Sequence, residues 1–200
     1  MSTKTDNQNN KSILYFALCS TLAFILYISL VLNPASGCFR LESGSYCLGL
    51  SFCFTLGMVH VFFAARMQVQ VVCFSEFLYV WDVIFGMIYT LMYGSLILYL
   101  LNKKIYLVIP ILGMIADWSE NFSEILMVQS YVTSGSITQS LVSVGSGINS
   151  FKWIMSSLTY LLVIIGIIVA IRSLLMKKTS IKFLIDFIAI DLKNLANIQV

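Results

Sequence analysis

Residues 105–128 read IYLVIPILGMIADWSENFSEILMV. The run is long enough to cross a bilayer, which takes about 20 apolar residues. It nevertheless carries Asp117, Glu120, Asn121 and Glu124. A charged carboxylate at the bilayer centre costs about 2.5–3.5 kcal/mol even on the lenient insertion scale, so such groups turn toward protein or water. At 100° per residue, Gly113, Asp117, Glu120, Asn121 and Glu124 fall within an arc of about 100°. One face of this helix is polar and requires partners.

The surrounding composition sets the environment. Of 200 residues, 59% are apolar and 10% charged, with twelve Lys and Arg and nine Asp and Glu. Soluble domains carry about a quarter charged residues, so this chain lacks the polar groups to cover a soluble surface. Eleven Gly, two Pro and five Cys also exclude a collagenous, disordered or disulfide-rich class. An integral membrane protein is expected, with the lipid bilayer as its partner and no nucleic acid.

Three further runs, 12–32, 77–101 and 151–175, have the length to span. A fifth, 48–65, is apolar apart from His60 and a few hydroxyls, and basic residues arbitrate, because Lys and Arg favour the cytoplasmic side. Four spans with the N-terminus inside place nine there (Lys4, Lys11, Lys103, Lys104, Arg172, Lys177, Lys178, Lys182, Lys193) and three outside (Arg40, Arg66, Lys152). Five spans give at best eight against four, with Lys4 and Lys11 misplaced. The expected fold is therefore all-α: a transmembrane four-helix bundle over 12–175, both termini cytoplasmic, in a bacterial cytoplasmic membrane.

Residues 52–66 are expected to form an outer helix, lying in the interface or tucked into the bundle. Residues 1–11 form a polar N-terminus, and 131–150, rich in Ser, Gly and Thr, an outer loop. The tail, 176–200, reads as a cytoplasmic amphipathic helix with Lys182, Asp186, Lys193 and Asn197 near one stripe. The run 12–32 exceeds the about 7–15 residues of a leader's apolar region and reads as a retained signal anchor. No internal repeat supports a two-halved transporter.

The other spans offer matching polar faces. Asp82, Gly86, Tyr89, Thr90 and Tyr93 share a face of the second, and Lys152, Ser156 and Thr159 of the fourth. These faces are expected to meet inside the bundle. The expected site comprises Asp82, Tyr89, Asp117, Glu120, Asn121, Glu124 and Lys152, with His60 and Arg66 as accessories on the outer side. Lys152 is the counter-ion for Glu120, Glu124 or Asp82. Gly86-x3-Thr90-x3-Gly94 packs helices within one chain or in a homo-oligomer.

Three functional classes fit these residues. The leading one is a binding or translocation module for a cation, a proton, or a small polar or lipid-headgroup ligand. An enzyme using carboxylate acid–base chemistry on a lipid-borne substrate is the second, with no nucleophile or cofactor motif identified. A structural subunit whose charges only set helix packing is the third. No metal or cofactor is expected: His60 is the one histidine, carboxylates alone make a poor zinc site, and spacing does not diagnose Mg²⁺ or Ca²⁺. Cys38 and Cys47 form a disulfide or remain free thiols; Cys19 and Cys53 read as core fillers, and Cys73 has no assigned role. Asn121-Phe122-Ser123 matches a glycosylation acceptor, but its place inside a span makes the match accidental.

The run Ile109-Pro110 followed by Ala116-Asp117-Trp118-Ser119-Glu120-Asn121 resembles a pattern in a group of uncharacterised small bacterial membrane proteins. There a proline-containing span leads to Asp, two residues, then Glu-Asn. The resemblance extends to Asp82 with Phe85 and Tyr89, to Lys152-Trp153, and to 52–65 with Thr55 as a helix N-cap. It covers residues 50–167 and implies four spans with these polar residues inside. It implies no reaction.

Overall fold

The computed structural model describes residues 3–41 and 47–196, with side chains over 11–41 and 47–176. The described chain is helical, and no strand occurs among the described residues. Helix α1 (Thr3–Tyr27) runs on through a π-helical turn (Ile28–Leu32) and short turns Asn33–Ala35 and Ser36–Cys38. After a 3₁₀ turn at Leu48–Leu50 come α2 (Leu56–Ala64), α3 (Gln68–Leu101), α4 (Val108–Ser134) and α5 (Gln139–Ala196).

Local chemistry fixes the element ends. Pro34 follows the π turn of α1, where its missing N–H cannot continue the regular ladder. Thr55 caps α2, its hydroxyl accepting from the Met58 N–H at 3.3 Å. Asn102 (φ 53°) ends α3 and Gly135 (φ 68°) ends α4, both left-handed. These stops leave connections of a few residues, which make α3, α4 and α5 antiparallel neighbours. Helix α1 packs chiefly along α3.

Three helical stretches are long and apolar enough to cross a membrane: Lys11–Cys38, Gln68–Leu101 and Gln139–Met176. Helix α4 has the length, 27 residues, but carries the three carboxylates. Packing is inverted relative to a soluble protein. Leu18, Leu22, Ile154, Leu161, Ile165 and Ile168 are exposed, whereas Glu120, Glu124, Asn121 and Asn149 are buried. Three apolar helices of this length mark the chain as membrane-associated.

The dense hydrophobic core lies at one end, which we call the cap end. Phe39, Phe54, Phe62, Phe63, Phe74 and Phe77 are buried there with Val59, Val71 and Met127. Phe39 meets Phe74 and Phe77 edge-on, each at 5.0 Å. Helix α2 buries Val59, Phe62 and Phe63 in this cluster and spans 56–64, against 52–66 expected.

Three expectations are corrected here. Residues 131–150 are not a loop, because the break spans only 135–138 and α5 begins at Gln139 instead of 151. The small residues that imitate a loop serve helix packing: a Cβ on Gly145 would sit 2.6 Å from Met127 Cε and 2.8 Å from Ser123 Oγ of α4. The disulfide joins Cys38 to Cys73, not Cys38 to Cys47. It staples the end of α1 to the start of α3. Cys19 and Cys53 are exposed instead of filling the core. The amphipathic face expected over 176–200 falls almost wholly outside the described side chains, although the backbone stays helical to Ala196.

Non-reducing peptide mapping should recover Cys38 linked to Cys73 with Cys47 free. The crosslink closes a loop of sequence separation 35, so Cys73→Ser should cost about 2–4 kcal/mol in thermal or denaturant unfolding.

Candidate functional site

The polar faces meet in a cavity of about 400 Å³ lined by α1, α3, α4, α5 and the Leu48–Leu50 turn. Its geometry begins with the second π turn, Phe77–Asp82 in α3. Carbonyls in and beside this turn accept side-chain hydrogen bonds from neighbouring helices. Leu78 O receives Asn121 Nδ2 at 3.4 Å, Val83 O receives Trp118 Nε1 at 3.2 Å, and Trp81 O receives Tyr27 Oη at 2.8 Å. Asn121 Nδ2 also donates to Asp82 Oδ2 at 2.9 Å. A π turn offsets the backbone ladder by one residue and recurs at functional sites; here it pins α3 to α4 and α1 and presents Asp82 inward.

Gly86, one turn on, lets α4 approach. A Cβ there would lie 2.8 Å from Trp118 Nε1 and 3.3 Å from Asp117 Oδ2. Gly94 similarly faces Leu107 at 3.5 Å, so the Gly86-x3-Thr90-x3-Gly94 face packs within one chain.

Lys152 of α5 forms an ion pair with Glu120 and a second with Asp117 at 3.5 Å. Glu120 is one of the three alternatives expected for Lys152, and Asp117 is a second partner that was not among them. The ammonium also donates to Gly49 O at 3.3 Å, and Trp153 Nε1 to the same carbonyl at 3.1 Å. Gly49 is a site residue that sequence reading missed, because a glycine in a connection carries no periodic signal. The turn holding it is tied to α5: Asn149 Nδ2 donates to Ser51 O at 2.6 Å and Ser150 Oγ to Phe52 O at 3.0 Å.

The charges do not balance. Asp82, Asp117, Glu120 and Glu124 line the cavity with Lys152 inside and the exposed Arg40 also lining it. Glu120 and Glu124 are each 1% exposed. Buried oxygens Asp117 Oδ2, Glu120 Oε1 and Glu124 Oε1 have no hydrogen-bond partner among the described residues. Leaving a buried polar group unsatisfied costs about 1–3 kcal/mol, more when charged. Glu124 forms no ion pair with any described residue.

Away from the cap end the lining turns aromatic. Phe24 of α1 stacks on Phe85 at 5.7 Å, Phe85 meets Tyr89 at 5.5 Å, and Tyr93 meets Tyr160 at 5.4 Å. Tyr89 thus stands where polar and aromatic halves join. Tyr160 was legible, since Lys152, Ser156, Thr159 and Tyr160 follow one helical face; Phe24 was not, because α1 has no polar stripe to orient it.

The seven expected site residues all line this cavity. The accessories do not. Arg66 is buried in the cap, donating to Phe39 O at 2.8 Å and Phe62 O at 2.6 Å, with its guanidinium 3.6 Å from the Phe62 ring centre. His60 is half-buried on α2, outside the lining. Cys47 does line the cavity, and burial, followed by the charges of Glu124 and Asp82, pushes its thiol up to about 12. It is a protonated, poorly nucleophilic thiol at neutral pH. No group of three His, Cys, Asp or Glu able to hold a metal ion occurs among the described residues. No family model, curated protein or solved structure matches the chain.

Gly49→Ala should disturb the site directly, since its Cβ would stand 2.8 Å from Glu120 Oε1 and 3.3 Å from Lys152 Nζ. The expected loss is about 1–3 kcal/mol, read by thermal unfolding in detergent. Gly37→Ala, with nothing within 4 Å of its Cβ, should leave the transition unmoved.

Proposed function

We propose that the protein is a multi-pass membrane protein in which α1, α3, α4 and α5 cross the bilayer with both termini cytoplasmic. The cap end then faces the extracytoplasmic side, and the proposal carries with it the resemblance to the four-span bacterial group. In this reading the cavity is a binding or translocation site for a positively charged ligand entering from the cap end. The observation that carries it is the charge imbalance: four carboxylates line the cavity, and Lys152 pairs with only two of them. A surplus of negative charge in a low-dielectric interior is costly unless compensated. A proton, a cation or a cationic headgroup supplies the compensation.

Lys152 has the structural role in this reading. It holds α5 against α4 and keeps Glu120 and Asp117 in place, which leaves Asp82 and Glu124 for the ligand. A purely structural network would instead give every carboxylate a partner, and Glu124 has no ion-pair partner among the described residues.

Thermal unfolding of the ligand-free protein in a neutral detergent separates the two accounts. Lys152→Ala strands two buried carboxylates and should lose about 3–5 kcal/mol. Asp82→Asn and Glu124→Gln each remove uncompensated charge and should raise the midpoint, by about 2–4 °C for each kcal/mol gained in a chain of this size. If both neutral variants are destabilised as Lys152→Ala is, the charges lock helices and the binding reading fails.

A further inference from the structure

The cavity is larger and more aromatic than a proton or a bare ion requires. Its volume, about 400 Å³, lies in the range of organic-ligand sites, roughly 300–1,000 Å³. Below Asp82 on the same face of α3 come Phe85, Tyr89 and Tyr93. They extend the lining by about 16 Å at 1.5 Å per residue. Phe24 and Tyr160 close around them from α1 and α5.

Two requirements must be met together. Asp82 and Glu124 form no ion pair with any described residue, and Glu124 Oε1 is buried without a hydrogen-bond partner. A ligand there carries positive charge. Hard divalent cations take six or more oxygens in a close shell, and no group of three His, Cys, Asp or Glu able to hold a metal ion occurs among the described residues. Aromatic faces do attract weakly hydrated organic cations through their quadrupole. A carboxylate pair above an aromatic floor therefore selects an ammonium group attached to an apolar body.

Resting on the cation-binding reading above, we propose that the cavity binds an organic ammonium ion, its nitrogen between Asp82 and Glu124 and its apolar part among Phe24, Phe85, Tyr93 and Tyr160. The same chemistry is offered by a soluble amine and by the choline headgroup of a lipid.

The test uses the purified full chain in a neutral detergent, with benzyltrimethylammonium as probe and neopentylbenzene, its uncharged carbon isostere, as control. Binding is followed by tryptophan fluorescence and calorimetry. Benzyltrimethylammonium should bind saturably and at least tenfold more tightly than the isostere. Asp82→Asn and Phe85→Leu should each weaken it at least tenfold, in protein that elutes as the wild type does. Equal binding of the isostere, or no effect of Phe85→Leu, overturns the proposal. Should Asp82→Asn and Glu124→Gln be stabilising as expected above while benzyltrimethylammonium fails to bind, the ammonium inference alone falls; if they are destabilising as well, both readings fall. Nanodiscs identify the source. A choline headgroup raises the apparent dissociation constant at least fivefold in phosphatidylcholine relative to uncharged digalactosyldiacylglycerol, whereas a soluble amine gives equal values.

Discussion

The ammonium of Lys152 sits where three parts of the chain must agree. Glu120 and Asp117 reach it from α4, Gly49 O from the connection after α1, and Trp153 beside it donates to the same carbonyl. Buried ion pairs contribute little net stability against a hydrophobic replacement, but removing one partner costs about 3–5 kcal/mol. Their effect is to exclude other registers. Sliding α5 by one residue against α4 would turn Lys152 by about 100° and leave two carboxylates buried without a cation. The register of α4 on α5 brings Gly145 against Met127 and Gly113 against Met155. The close approach of these helices and the placement of the charges thus support each other.

Around this contact the protein is built inside out. Exposed Leu and Ile cover the outer faces of α1 and α5 while carboxylates, amides and hydroxyls point inward. In the membrane reading proposed above, little drives apolar helices together, so close packing over small residues and interhelical hydrogen bonds carry association. The bonds are present where the helices cross: Ser20 with Ser95 at 3.0 Å between α1 and α3, and Asn121 with Asp82 between α4 and α3. At the cap end the logic reverts to that of a soluble protein, with a phenylalanine cluster buried beneath α2. A capped bundle with a polar interior keeps a cavity from collapsing, since its walls are fixed at both the charged and the phenylalanine levels.

The four long helices and the residues that line the cavity were legible from sequence because long apolar runs that carry a few carboxylates follow simple rules. Span length follows from thickness, and a carboxylate within a span has to face inward. Asp82, Asp117, Glu120, Asn121, Glu124 and Lys152 therefore announced themselves by type and periodicity. What stayed hidden depends on contacts between distant segments. Gly49 matters through what its carbonyl accepts, the partner of Cys38 depends on how α3 returns beside α1, and the segment 139–150 resembles a loop until Gly145 is seen against α4. Arg66 was misplaced for a related reason. A basic residue on the outer side reads as an accessory of the polar site, but this guanidinium donates to two carbonyls and stacks on a ring within an aromatic cluster.

The central claim is that an anionic cavity opens from the cap end and prefers positive charge. Its most direct measurement uses Ser156→Cys, on the cavity wall, in a chain whose free Cys19, Cys47 and Cys53 are replaced by Ser. Vesicles with the extracytoplasmic face outward are treated with methanethiosulfonates bearing either a trimethylammonium or a sulfonate group. Each rate is divided by that reagent's rate with a free thiol. The account predicts modification from outside, at least tenfold faster for the cationic reagent. Equal normalised rates, or reaction only from the cytoplasmic side, would contradict it.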